Sequence, residues 1–477
     1  MRFILFALLL TVAFTACAPK VVTSNTLLNR KIEAELLKDL NGFSSNDISL
    51  KNDWWKNFGD EQLNVLIQNA IKNAPTLKEL EAKYSKANNI IKANQSANLP
   101  KVDFNASASR QRFSENYIFP EPLGGKYYDF YQTGLSLDYD FDFWNSRSSI
   151  IASSKNEALA QKALIKMKEL SVTTSIAKLY ISWNYKIKKL QRLRSLKKLL
   201  YEKREILEHL YQLGLENKIR LNETNSSLEE LNQAIYKSKN EIEEIKTSIG
   251  IIAGLFPSEL ERLKNPNISK EYTLYIPKDM HLDIVSHRPQ IAMEKYLLQS
   301  KSALIENAKS TYYPNISLKG LLHFSSFPWS KLTDKSSFAP EGGVAFSLPI
   351  FDGAKRDANL NAKVNDYNAH VYKYNESVIK AVNEIVNSLH KLDLLKATLQ
   401  AENSILKNKE KNIFIEKEIY QLGLKNKLDY LDSKLHLQKE ELKKVTLLTE
   451  EFVEHINLIQ ALGGGYQDKA ENNGNNK

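Results

Sequence analysis

Cysteine is almost missing from this chain of 477 residues, where Cys17 is the only one. No intrachain disulfide can form, so covalent cross-links play no part in the fold. Proline and glycine are scarce as well, at 13 and 17. No proline falls between Leu123 and Phe256, and none follows Pro349. Catalytic signatures are absent too. There is no Walker A loop, no Gly-x-Ser-x-Gly elbow and no His-Glu-x-x-His pair, and of eight scattered histidines His281 and His287 stand nearest together. An enzyme, a resident metal and a cofactor are therefore not expected. Nor does one sign of charge dominate: 66 Lys and Arg face 56 Asp and Glu, for a net +10. The signs alternate along stretches such as Lys237-Ser238-Lys239-Asn240-Glu241, as on a solvated helical face, and this argues against a nucleic-acid partner.

What is present begins at the amino terminus. Arg2, an apolar run from Phe3 to Phe14 and Thr15-Ala16-Cys17 make an export signal, since the run is shorter than the roughly 20 residues of a membrane span. The Phe-Thr-Ala-Cys ending resembles a bacterial lipobox. Residues 1–16 are then expected to be removed, with Cys17 lipidated; the alternative is an ordinary signal peptide that contains a cysteine. Ala18 stands where an aspartate would signal inner-membrane retention, so the expected address is the outer membrane, with the body of the protein in the periplasm.

The rest of the chain is written twice. Tyr211-Gln212-Leu213-Gly214-Leu215-Glu216-Asn217-Lys218 returns about 209 positions later as Tyr420-Gln421-Leu422-Gly423-Leu424-Lys425-Asn426-Lys427. Gly214 is the only glycine between Gly134 and Gly250, and Gly423 the only one between Gly353 and Gly463. A long helical stretch interrupted once by a residue that tolerates positive φ predicts two helices joined by a tight reversal. Pro75 and Pro289, and likewise Pro100 and Pro314, are offset by about 214 positions. Each half thus predicts helix, strand, strand, long helix, tip, helix, with one repeat over 17–270, the other over 271–466, and a disordered Asn-rich tail over 467–477.

Four segments alternate with period two. Val102, Phe104, Ala106 and Ala108 oppose Asp103, Asn105, Ser107 and Ser109; Leu135, Leu137, Tyr139, Phe141 and Phe143 oppose Ser136, Asp138, Asp140 and Asp142. Ile316, Leu318, Leu322 and Phe324 oppose Ser317, Lys319 and His323, and a shorter run sets Val344, Phe346 and Leu348 against Ser347. Half-buried strands of this kind suit a soluble sandwich or an outer-membrane barrel. The connections between them are expected to hold Phe113, Tyr117, Phe119, Tyr127, Tyr128, Phe130, Phe327, Trp329 and Phe338 as aromatic ends. Four strands cannot close a barrel, and an open edge in lipid leaves backbone groups unpaired, so a membrane role demands several copies; three supply twelve strands.

The predicted long helices run from about Arg147 to Leu213 and from about Lys355 to Leu422, each roughly 100 Å at 1.5 Å per residue. Leu193, Leu196, Leu200, Leu207 and Leu210 carry coiled-coil spacing. Past the second tip, Asp429 and Asp432 stand three apart on one helix face. Around a symmetric pore they would make rings of carboxylates; otherwise they are ordinary solvated charges. The first repeat offers Arg220 and Glu223 at the equivalent places, and these are candidates for salt-bridge partners of a closed tip.

Several motifs together resemble the TolC-like outer-membrane factors, in particular their lipidated efflux branch. They are Trp54-Trp55-Lys56-Asn57-Phe58-Gly59-Asp60, Arg288-Pro289-Gln290-Ile291, Tyr313-Pro314-Asn315-Ile316, Leu348-Pro349-Ile350-Phe351-Asp352-Gly353, both Tyr-x-x-Gly tips and Leu462-Gly463-Gly464-Gly465-Tyr466. The resemblance implies a mainly α protein with a small membrane β-part. Long helical hairpins would form a trimeric periplasmic tunnel, and four strands per protomer would share a twelve-stranded barrel. It implies an exit duct of a tripartite efflux pump, working with a periplasmic adaptor and an inner-membrane transporter of the RND or ABC kind. Asp429 and Asp432 fall at the family's periplasmic gate, Leu428 at an apolar gate position, and Tyr211, Gly214, Tyr420 and Gly423 at adaptor-docking tips. Gln290 and Asn145 depart from the family's usual aspartate and glycine. Two other functions remain open: an exit duct for type I protein secretion, and a lipid-anchored coiled-coil spacer without a pore.

Overall fold

The computed structural model describes residues 52–116, 121–122, 124–266, 268 and 287–468. The signal segment, Cys17, the join of the repeats at 270/271 and the tail from 469 onward lie outside them. The two halves trace the same order. Helix α1 (Glu61–Asn73) precedes α2 (Pro75–Ser96), β1 (Lys101–Arg112), β2 (Tyr127–Asp140), α3 (Ser146–Gln212), α4 (Lys218–Ala253) and the short α5 (Pro257–Leu260). The second half repeats this with α6 (Pro289–Ser310), β3 (Asn315–Ser326), β4 (Glu341–Ser347), α7 (Lys355–Gln421) and α8 (Lys427–Ala461). The two long helices have 67 residues each, within a residue or two of the expected spans. Among the described residues, no helix is long and apolar enough to cross a membrane.

The strand ends differ from expectation. Tyr127, Tyr128 and Phe130, expected in a connection, belong to β2, and Phe141 and Phe143, expected in the strand, lie beyond its end. The Asp142 side chain accepts from the backbone N–H groups of Arg147 and Ser148, so the chain is drawn out of the sheet to cap α3. Asp352 accepts in the same way from Arg356 N–H at the start of α7. Leu348 lies outside β4, one residue before Pro349, which has no N–H to give a ladder. Asn145 takes φ 57°, the left-handed backbone for which glycine is the usual choice and asparagine an accepted one.

The chain divides into two compact units. One comprises Lys83–Gln161 and Glu294–Tyr374. It holds a single antiparallel sheet in the order β1-β2-β3-β4, so the repeats meet at β2–β3 and β1 and β4 are edges. Here Ile305 and Ala308 of α6 pack with Leu360 and Val364 of α7, and the Ser153 and Ser300 hydroxyls meet at 2.8 Å inside. The Trp144 ring stacks on Tyr313 at 4.7 Å while its indole N–H donates to the Pro314 carbonyl, fixing the exit of one strand against the entry of another.

Among the described residues, the other unit contains the segment up to Ala82, the stretch from Lys162 to Met293 and the stretch from Asn375 to Asp468. Its core gathers Trp54, Trp55 and Phe58, α1, the middles of α3 and α7, and the C-terminal halves of α4 and α8 around Tyr180, Trp183, Phe452 and Ile456. Asp60 caps α1 by accepting from Gln62 and Leu63 N–H, and its second oxygen accepts from the Tyr180 hydroxyl at 3.0 Å. Burial, and then the Asp60 charge, pushes the Tyr180 phenol above its ordinary range. The glycine motif that closes the second repeat is explained by contact: at Gly463, in left-handed backbone, a Cβ would run into the backbone carbonyl of His287.

Candidate functional site

Two places carry chemistry that function could use: the faces of the sheet and the helical tips. The register assigns every strand residue to a face. Phe104 pairs with Leu135, Leu135 with Leu322, and Leu318 with Val344, so these side chains share one face. That face runs through Val102, Phe104, Ala106, Ala108, Tyr131, Thr133, Leu137, Tyr139, Ile316, Phe324 and Phe346 without a charge. It is also bare. Phe104 is 71% exposed, Val344 69% and Phe346 61%. Eight strand steps from Tyr139 to Tyr131 rise about 27 Å, or roughly 20 Å once tilted as barrel strands are, close to the ~25 Å apolar band of outer-membrane barrels. Beyond Ala108 the same face turns charged, with Arg110 facing Asp129 across the strands. The opposite face carries Asp103, Asn105, Ser107, Ser136, Asp138 and Lys319.

Aromatic side chains bracket the apolar face. Tyr131 meets Trp329 at 5.3 Å toward the connections, and Tyr139, Phe141 and Phe143 form a row at the helix-proximal end. Exposure continues past β4, where Ile350 and Phe351 have almost no covering atoms. A soluble sandwich would bury this face against a second sheet; among the described residues there is one sheet only.

The tips are two copies of one device. Gly214 and Gly423 adopt φ 71° and 70° with nothing near the place of a Cβ. Leu215 N–H donates to the Leu210 carbonyl and Leu424 N–H to that of Ile419, the 6→1 bond that closes a helix on a left-handed residue. Asn217 then caps α4 through Ile219 and Arg220 N–H, and Asn426 caps α8 through Asp429 N–H. Each reversal leaves two leucines in the open: Leu213, Leu215, Leu422 and Leu424 are all well exposed, with Tyr211 and Tyr420 beside them.

Past the second tip the expected gate residues separate. Asp429 is exposed. Asp432 accepts from Lys203 Nζ of α3 at 2.5 Å, and one turn away Lys427 pairs with Glu202 at 2.6 Å. Arg192 and Glu441 continue the same seam. Within one copy of the chain the other expected residues are placed as follows. The partner of Asp432 within the chain is Lys203, not Arg220 or Glu223, because Arg220 turns back to Glu216 of its own tip and Glu223 is exposed. Leu428, expected as an apolar gate residue, is only 2% exposed. In a single copy of the chain it packs against its own helices. Nothing in the sequence singles out Lys203, because its pairing joins helices from different repeats.

No group of side chains that could hold a metal ion occurs among the described residues.

Comparison with known proteins gives the same picture. A family profile described as outer membrane efflux protein matches residues 66–254 and 283–464. The multidrug resistance outer membrane protein MdtP of Shigella flexneri is 26% identical over 437 residues, covering 87% of this chain and 86% of its own. The Campylobacter jejuni CmeC outer membrane channel superposes with a TM-score of 0.79 at 22% identity, over 96% of this chain and 98% of that one. The Vibrio cholerae outer membrane protein VceC gives 0.79 at 24% identity, over 88% and 100%.

Proposed function

Because the chain belongs to the outer membrane efflux protein family, we propose that three copies make a gated exit duct through which small toxic compounds cross the outer membrane. The observation that carries this is the sheet: one charge-free, exposed apolar face with two free edges, β1 and β4. Free edges in lipid are forbidden unless another copy pairs with them, and three four-stranded sheets give the twelve strands a closed wall needs. The polar face then lines the passage. Relatives named for multidrug resistance support drugs as cargo.

The helical tips are the natural contact for a periplasmic adaptor, which would couple the duct to an RND or ABC transporter in the inner membrane. Their exposed leucines and tyrosines supply apolar contact area on a rigid support. Asp429 and Asp432 form the periplasmic gate in this reading, with the Lys203–Asp432 and Glu202–Lys427 pairs as its latch. Half-exposed pairs of this kind contribute on the order of 1 kcal/mol each, so adaptor contacts can release them. Lipidation at Cys17 would tether each copy to the outer membrane. No cofactor is required, since energy comes from the inner-membrane partner.

The test is reconstitution of the purified protein in a planar bilayer. Discrete, cation-selective single-channel steps are expected. A preparation of folded trimer that never conducts would leave the coiled-coil spacer as the surviving reading.

A further inference from the structure

The polar face of the sheet does not stay polar to its end. From Lys101 to Gln111 on β1, from Asp138 back to Gln132 on β2 and from Ser317 to Ser325 on β3, most of its side chains are charged or polar. At the row farthest from the helices it becomes aromatic. Tyr128 and Phe130 of β2 hold this face by register, and Phe113 and Phe327 continue its phase one step beyond β1 and β3. The four rings form one cluster with Phe327 at its hub, 5.5 Å from Phe113, 5.2 Å from Tyr128 and 5.7 Å from Phe130. Phe113 and Tyr128 close the set at 6.1 Å. In the same rows the other face changes the opposite way, to Arg110, Arg112 and Asp129. The sheet exchanges the polarity of its two faces.

The charged outer side has a simple cause, because there the strands leave the apolar layer. The aromatic inner side has none of that kind, since apolar rings facing a wet passage are costly unless they serve it. They are also held in place. The β1–β2 connection returns through Phe113 N–H to the Lys126 carbonyl and Gly125 N–H to the Phe113 carbonyl, and the Tyr128 hydroxyl reaches the Pro122 carbonyl.

We infer that Phe113, Tyr128, Phe130 and Phe327 form an apolar selectivity collar at the outward mouth of the duct, passing amphipathic and aromatic solutes and resisting hydrated ions and polar solutes. This rests on the barrel reading above, in which three clusters place twelve rings around one opening. Water among apolar rings lacks hydrogen-bond partners, so a hydrated ion meets a dewetting barrier there. A planar or amphipathic solute gains ring contacts in the same place and loses little water. The collar is separate from the periplasmic gate in chain position and in chemistry.

The experiment uses the full chain with its tip unlatched by Lys203→Ala and Asp432→Ala, so that the periplasmic end does not limit flow. In planar bilayers, adding Phe327→Asn is expected to raise single-channel conductance roughly threefold. In liposomes it should speed entry of a hydrophilic fluorescent dye more than entry of an amphipathic one. Phe338→Asn, on an aromatic of the other face that meets Phe324 at 5.3 Å, should change neither. Should Phe327→Asn fail to give a heat-resistant trimer, Phe130→Asn replaces it with the same expected gain. Equal conductance and equal dye ratios in folded collar variants and the unlatched parent overturn the collar while leaving the duct intact. An unlatched parent that never conducts overturns the duct and the collar with it.

Discussion

Lys203 and Asp432 form an ion pair past the second tip. Both lie in the unit that contains the hairpins, and the lysine side chain is 18% exposed against 37% for the aspartate. Lys203→Ala strands a partly covered carboxylate, and Asp432→Ala a mostly covered ammonium, so each should loosen the tip. Single-channel recording should show larger or more frequent openings in either variant, and the double variant should add little to the singles. A fully additive double would mean that the two side chains act separately. Another residue sets a pH limit. Burial pushes His455 down to about 4, with neighbouring Glu454 only partly opposing it. The folded chain thus binds this proton less readily than the unfolded chain, whose imidazole titrates near 6.5. Stability is full above 6.5 and falls as pH drops from there toward 4, by on the order of 3 kcal/mol. Melting curves should lose this slope in His455→Gln; an unchanged slope would assign it to other groups.

The tips show why some structure could be read from sequence and some could not. Gly214 and Gly423 stand alone in long glycine-free stretches, and only a left-handed residue flanked by good helix formers produces that pattern, so both reversals were legible to the residue. Period-two alternation located all four strands for the same reason, since each has one polar and one apolar face. The end of β2 was not legible, because Asp142 caps the following helix, and a cap competes with a ladder only in three dimensions. Nor was the Lys203 latch, which depends on how one repeat's helix lies against the other's hairpin. The repeated leucines give this level its own prediction. Replacing Leu422 and Leu424 with Ser removes apolar area from an already exposed turn, so helix stability should hold while adaptor affinity drops about tenfold or more. Pull-down with a periplasmic adaptor that binds the parent protein would measure it, with circular dichroism confirming unchanged helix content. Retained binding would move the docking surface away from the tips.

Assembly joins these pieces, because a protomer with two unpaired sheet edges is incomplete in lipid. In the proposed trimer the face assignment decides between a membrane object and a soluble one, and adjacent residues on one strand can test it. Phe104 is on the charge-free face and Asn105 on the polar one, so a change at each meets a different medium. Phe104→Arg would put a guanidinium into hydrocarbon at a cost of about 2–4 kcal/mol per copy. Three copies multiply that penalty, and a trimer followed by gel migration on heating should be lost or melt well below the parent. Asn105→Arg adds the same charge one residue along, where water lines the passage. Its trimer should survive, and its single-channel current should become less cation-selective as three positive charges enter the lumen. The opposite ranking, with Asn105→Arg destabilising and Phe104→Arg silent, would turn the sheet inside out. Equal tolerance of both would mean that neither face meets lipid, since only a low-dielectric medium separates two arginines placed one residue apart.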